Sequence, residues 1–196
     1  GADTYQLMFK ALKKYKIPLS MLSHILRIFD ENIHEISMKD EYNFRLKFEG
    51  NQTGDQIMSD KELLYFLSSG TTKGMLLYTF VAASLLYGFD LIIDEVENHF
   101  HKTLVENMIS LFKDKTVNRK SATLIFTTHY CELLDLFGRQ DNIWIAKADD
   151  KVRVMNMYDS YSIRPELMKS RQFYNNAFST AVNYDDLMAL KKELMR

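Results

Sequence analysis

The segment Asp90-Leu91-Ile92-Ile93-Asp94-Glu95-Val96-Glu97 decides the fold. Its apolar run reads as a strand buried on both faces, and it ends in two adjacent carboxylates. A second run of this kind, Ala122-Thr123-Leu124-Ile125-Phe126, ends in Thr127-Thr128-His129. Between them, Leu104, Val105, Met108, Ile109 and Phe112 hold helical spacing, which predicts a helix from about Lys102 to Phe112. Strand, helix, strand is the pattern of a parallel sheet wrapped by helices. Ligands of such sheets sit outside the carboxyl ends of the strands, where Asp94, Glu95 and His129 all fall.

Upstream of the first strand, Leu67-Ser68-Ser69-Gly70-Thr71-Thr72-Lys73-Gly74 is a small polar turn. It opens into a run to Tyr87 that is apolar on nearly all sides, so this helix is expected to be buried. Gly88 should end it. Nearer the amino end, a helix is predicted over about Thr4 to Tyr15, and Pro18 suits the first turn of a second. That second helix carries Leu22, Ile25, Leu26 and Phe29 on one face. Ile33 to Ser37 and Tyr42 to Phe48 alternate and read as strands, and Gly50 to Gly54 reads as a turn-rich loop. Asp60 could cap a short helix to Phe66. Beyond His129, a short helix around Cys131–Phe137 should lead to a strand at Asn142–Ala146. Asp149-Asp150 then turns it into Val152–Met157. The tail from Pro165 to Arg196 is polar and helical in pattern. This divides the chain into three expected parts. They are a helical and strand segment over 1–58, a sheet-and-helix lobe over 59–158 and a helical tail over 159–196.

Bulk composition narrows the class. The 196 residues are 46% hydrophobic and 26% charged, ordinary for a globular domain with a sizeable core. A net charge of −1 gives no global attraction to nucleic acid or to an anionic membrane, although local basic patches are compatible with it. The single cysteine, Cys131, allows no internal disulfide and fits a reducing, cytoplasmic compartment. The longest apolar run, Met75 to Tyr87, is too short to span a bilayer. No signal-peptide pattern opens the chain, and the absence of Met before Gly1 is expected of a processed fragment.

The residue types at the strand ends suit phosphoryl chemistry, which needs a metal, a positioned water and charge stabilisation. Asp94, first after its strand, can hold Mg²⁺ through its water shell. Glu95 can orient or deprotonate an attacking water. His129 could hydrogen-bond a terminal phosphate oxygen. Ser68, Ser69, Gly70 and Thr71 supply hydroxyls, close backbone approach and a helix amino terminus, which together make an anion nest. Each piece also has an ordinary explanation. Acids are favoured at helix starts, a histidine can cap a helix, and Ser-Gly is a common cap.

Taken in order, the pieces resemble the nucleotide-binding head of ABC-type ATPases, a P-loop NTPase-like α/β fold. Leu67-Ser68-Ser69-Gly70-Thr71 is similar to the signature motif Leu-Ser-Gly-Gly-Gln, Asp94-Glu95 to the end of the Walker B strand, and His129 to the switch histidine. The wording of 93–101, 124–129 and Arg139-Gln140-Asp141-Asn142-Ile143-Trp144 resembles a bacterial branch. Its members are abortive-infection or phage-defence ATPases related to the overcoming-lysogenization-defect nucleases. There the loop after Walker B continues Asn-Ser-Leu-His-Pro. Asn98 and His101 match it, while His99, Phe100 and Lys102 depart from it. The likeness covers roughly Phe66 to Met157 and argues against a transporter motor. It implies ATP and Mg²⁺ as cofactors, Asp94 at the metal, and Glu95 and His129 as catalytic residues. It implies Ser68, Ser69, Gly70, Thr71 and Asn98 at the nucleotide. It also implies a second head as homodimeric partner whose nucleotide is touched in trans by Ser69 and Gly70, and no membrane. An effector domain or nucleic acid is a further possible partner that net charge does not support.

One motif is missing. A phosphate-binding P-loop needs two glycines five positions apart followed by Lys and Ser or Thr. Gly1, Gly50, Gly54, Gly70, Gly74, Gly88 and Gly138 include no such pair. Gln52 and Gln56, placed in a loop, offer no supported Q-loop glutamine. The expectation is therefore an incomplete lobe, the carboxy-terminal part of a longer ATPase, inactive alone. The alternatives are a degenerate, non-hydrolysing interaction module, to which Thr71 in place of Gln would fit, and a regulatory domain whose tail docks an effector.

Overall fold

The computed structural model describes residues 10–11, 13–40, 43–50, 54–67, 69–148, 150–164, 166–178 and 184–195. Residues 4–9 and 12 of the helix expected over about Thr4 to Tyr15, and the residues Tyr42, Ser68 and Asp149, lie outside these. The chain divides into two compact units, Gly1–Thr128 and His129–Arg196.

In the first unit, helical residues 10–11 and 13–14 precede α1 (Leu19–Phe29) and a three-stranded antiparallel sheet. The strands are β1 (Ile33–Met38), β2 (Asn43–Phe48) and β3 (Gln56–Ser59). The apolar face of α1 buries Leu22, Ile25 and Leu26 beside Ile33, Ile36 and Leu46 of the sheet. Ser23 fastens helix to strand: its hydroxyl donates to the Ile36 carbonyl at 3.2 Å and accepts the Ile36 amide at 3.0 Å. Strand β3 corrects the sequence expectation that Gln56 belongs to a loop. It pairs with β2 because Ile57 and Met58 continue an alternation that the preceding glycines and polar residues obscure. Ser59 then caps α2 (Asp60–Phe66) in a reciprocal capping box with Glu62.

Helix α3 (Ser69–Tyr87) is the centre of this unit, with Met75, Tyr78, Val81, Ala83 and Leu85 buried along it. Gly74 lets Phe29 lie against its backbone; a Cβ there would meet the Phe29 ring at 2.2 Å. Phe29, Tyr78 and Phe100 form one aromatic cluster. Burial pushes the Tyr78 hydroxyl up to about 12 while it donates to the Leu104 carbonyl. Gly88 ends α3 with φ +81°. Then β4 (Leu91–Ile93) leads through a 3₁₀ turn, Val96–Asn98, to α4 (Lys102–Lys113) and β5 (Leu124–Phe126). β4 and β5 pair in parallel with Leu91 opposite Leu124 and Ile93 opposite Phe126, as the sequence predicts, but Ile92 and Ile125 are exposed, which corrects the expectation of burial on both faces.

The second unit carries the hairpin expected between Asn142–Ala146 and Val152–Met157. β6 (Trp144–Ala148) pairs antiparallel with β7 (Val152–Asn156) in a hairpin, and among the described residues it joins no larger sheet. A short turn makes antiparallel pairing the direct outcome, since a parallel strand needs a crossover. Its core gathers Ile143, Ile145, Met157 and Phe178. Around it lie 3₁₀ turns Cys131–Leu136 and Gln140–Asn142, and helices α5 (Met157–Ser160) and α6 (Lys169–Tyr174); the exposed helix α7 (Tyr184–Leu194) follows. Asp135 accepts the Ser170 amide and hydroxyl. Partial burial pushes its carboxyl upward, but the Ser170 bonds and Lys169 outweigh this and hold it below the usual carboxylate range. No helix among the described residues is long and apolar enough to cross a membrane.

Two stability outcomes follow. At Gly88 a Cβ would face Lys120 Cβ at 2.8 Å and the Lys120 carbonyl at 3.0 Å, in a left-handed conformation. Gly88→Ala should therefore lower the unfolding free energy by about 2 kcal/mol in a urea titration. A depressed carboxylate stabilises the fold above its unfolded pKa of about 3.9, and this is lost as pH falls through the lower folded value. Ser170→Ala should thus shrink the stability difference of the second unit between pH 6 and pH 2, read by acid unfolding.

Candidate functional site

The parallel register carries one residue past each strand, so Asp94 and Thr127 become neighbours. The Thr127 hydroxyl donates to Asp94 Oδ1 at 2.6 Å and accepts the Glu95 amide at 2.7 Å. One hydroxyl thus orients the first carboxylate and the backbone of the second. The Thr127 amide reaches the Ile93 carbonyl at 3.1 Å, and the Val96 amide reaches the Thr127 carbonyl at 3.0 Å. Both strand ends are stitched together on either side of the acids.

Glu95 is left-handed, with φ 45° and ψ 65°. A non-glycine residue held there costs on the order of 1–2 kcal/mol. The surrounding bonds enforce it, with Val96 fully buried immediately after and Phe100 buried next in the loop. This kink departs from the ordinary helix start that two acids after a strand would give. It turns the Glu95 side chain to solvent, as Asp94 also is. The Asn98 side-chain amide donates to Glu95 Oε2, and the Asn98 backbone amide bonds the Glu95 carbonyl at 2.9 Å. Asn98 therefore grips Glu95 from the far end of the 3₁₀ turn.

The remaining sequence candidates fall as follows. Helix α3 begins at Ser69, so Ser69, Gly70 and Thr71 form its first turn, and Ser68 is outside the described residues. His129 is exposed and opens the second unit. Within the run Thr127-Thr128-His129 the sequence reading singles out the histidine, while it is Thr127 that bridges the two acids. The signal was present: in a parallel pair, the residue after one strand faces the residue after the other.

Among the described residues no three His, Cys, Asp or Glu side chains converge to cage a metal. Mg²⁺ does not require such a cage, since one or two carboxylates, waters and substrate phosphates normally complete its shell. The exposed Asp94 fits that pattern. Two surface hollows lie elsewhere, one lined by Ile57, Met58, Glu62, Tyr65 and Phe66 and the other flanked by α1 and β1.

No protein-family model matches this chain. No curated protein matches it either. Fourteen chains of solved structures do. One is from structural biochemistry of the ATP-driven dimerization and DNA-stimulated activation of SMC ATPases. It superposes with a TM-score of 0.49 at 13% identity, over 88% of this chain and 97% of that one. Identity that low transfers no residue role.

The hydroxyl bridge has a direct test. Thr127→Val keeps shape and loses both bonds, so it should cost about 1–3 kcal/mol and speed hydrogen exchange at the Glu95 amide. Thr127→Ser should restore both.

Proposed function

We propose that this chain is the carboxy-terminal lobe of an ABC-type ATPase, and that Asp94 and Glu95 form the hydrolytic half of its nucleotide site. The observation that carries the proposal is the pair of carboxylates fixed by Thr127 at the carboxyl ends of two parallel strands. Two exposed acids held this rigidly, one on each side of a shared hydroxyl, are more than a helix start.

In this proposal Asp94 holds Mg²⁺ through its free oxygen while Thr127 fixes its other. Bound Mg²⁺ would neutralise charge on the phosphate oxygens. Glu95 takes the water proton, and Asn98 aims its carboxylate through Oε2. Ser68, Ser69, Gly70 and Thr71 act at the nucleotide of a second copy, and His129 reports on the terminal phosphate of its own. The amino terminus of α3 at Ser69 supports an anion-facing turn.

The lobe is half a site because the chain holds no P-loop. The exposed side of the parallel pair supports this. Ile92 is 73% exposed and Ile125 51% exposed, although parallel sheets are ordinarily covered on both faces. A phosphate-gripping segment from the same or another polypeptide would cover that side. A bacterial defence role in the cytoplasm, a homodimer of heads and the division into segments 1–58, 59–158 and 159–196 belong to the same proposal.

The test uses the protein that also carries a P-loop. Glu95→Gln should lower turnover by about 10²–10⁴-fold while leaving ATP binding intact, and should trap an ATP-bound dimer by light scattering. The 196-residue chain alone should neither turn over ATP nor bind it at millimolar concentration. Unchanged turnover in Glu95→Gln would favour the non-hydrolysing module.

A further inference from the structure

The end of the first unit opposite the carboxylates carries a concentration of positive charge that net composition hides. Lys13, Lys14 and Lys16 come from the amino-terminal segment, and Lys115, Arg119 and Lys120 from the loop before β5. All six are exposed. Far apart in sequence, the two segments border the same tripeptide, Tyr87-Gly88-Phe89. The Tyr15 ring lies 5.7 Å from the Tyr87 ring and 5.2 Å from that of Phe89, and the Tyr87 hydroxyl donates to the Tyr15 carbonyl at 2.6 Å. Lys120 is against the backbone of Gly88. This tripeptide leads into the amino end of β4, so the basic surface and Asp94 lie at opposite ends of the parallel pair.

The loop is ordered rather than loose. Asp114 accepts the Thr116 amide and hydroxyl, the Asn118 side chain bonds the Phe112 and Ala122 carbonyls, and Arg119 Nε bonds the Thr116 carbonyl. The nearby acids are Asp90 and Asp114, the latter committed to its own turn. Among the described residues none of the six cations is within ion-pair distance of a carboxylate. By contrast Arg27, Arg45 and Lys47, around the antiparallel sheet of the same unit, are each paired. Unpaired cations held close on a folded surface repel one another, and a polyanion relieves that repulsion.

We propose that this surface binds the phosphate backbone of nucleic acid without reading base sequence. Cations carried on two separate segments that border one tripeptide suit a regularly charged strand. An anionic membrane would instead favour one amphipathic helix with an apolar insertion face. Tyr87, 52% exposed among the lysines, adds a ring that can lie against sugar or base.

The experiment is fluorescence anisotropy of a labelled 20-base-pair duplex of arbitrary sequence, without nucleotide or Mg²⁺, so its result is independent of the ATPase proposal. Binding should be insensitive to sequence and fall with salt at a log–log slope of about −0.9 per phosphate contact. The triple variant Lys13→Ala, Lys14→Ala, Lys120→Ala should weaken binding at least tenfold and reduce the slope by about 2–3. Lys47→Ala, a charge change on the antiparallel sheet, should leave both unchanged. No binding at 50 mM salt, or an equal loss in Lys47→Ala, would overturn the proposal. So would displacement of the duplex by phosphatidylserine vesicles or polyglutamate at matched charge, which would assign the surface to a membrane or an acidic protein.

Discussion

Parallel pairing of two three-residue strands is the constraint on which the candidate site depends. Leu91–Ile93 and Leu124–Phe126 fix the register, and the register brings Asp94 beside Thr127. A slip of one residue would invert every side chain and separate the hydroxyl from both acids. So short a pair cannot hold its register alone. Its buried residues Leu91 and Ile93, the buried Val96 and Phe100, and the helices α3 and α4 hold it. The aromatic cluster of Phe29, Tyr78 and Phe100 ties α1 and α3 to the loop that carries Glu95. Packing at one side of the unit is therefore what keeps an exposed glutamate in a strained conformation.

That strain argues for a site more than the acids do. A left-handed non-glycine residue persists only where surrounding bonds over-determine it. At Glu95 these are its own amide to Thr127, the Val96 amide to Thr127 and the Asn98 amide to its carbonyl. The Asn98 amide bond belongs to the 3₁₀ turn itself, but a helix start needs neither of the bonds to Thr127. The arrangement fixes a carboxylate in space and leaves one of its oxygens facing outward, which is the requirement of a residue that meets a substrate.

The core of the fold was legible in the sequence because its signals are local. The apolar runs at β4 and β5, the all-round apolarity of α3 and the alternation of β1 and β2 each sit within a few residues. Acids at a strand end identified the candidate site for the same reason. What escaped is what depends on pairing across distance. β3 was hidden because Gly50 to Gly54 looks like one long loop. The kink at Glu95 and the bridge of Thr127 arise from bonds between strands more than thirty residues apart, and the grip of Asn98, only three residues from Glu95, follows from the kink.

The basic surface is the extreme case. Net charge of −1 conceals it, because the compensating acids lie elsewhere in the chain. Two segments separated by some hundred residues border one tripeptide because the Tyr15 ring packs at a tilt against that of Tyr87 and Gly88 admits Lys120. The consequence is polarity along the parallel pair, with fixed acids at the carboxyl ends and unpaired cations at the amino ends. Charge at one end therefore acts on the other weakly. Their separation exceeds the rise of three strand residues, about 10 Å, which is roughly one screening length at physiological salt. Any coupling between the two ends would have to pass through the packing of α3, whose carboxyl end carries Tyr87 and Gly88 and whose amino end is the Ser69 turn.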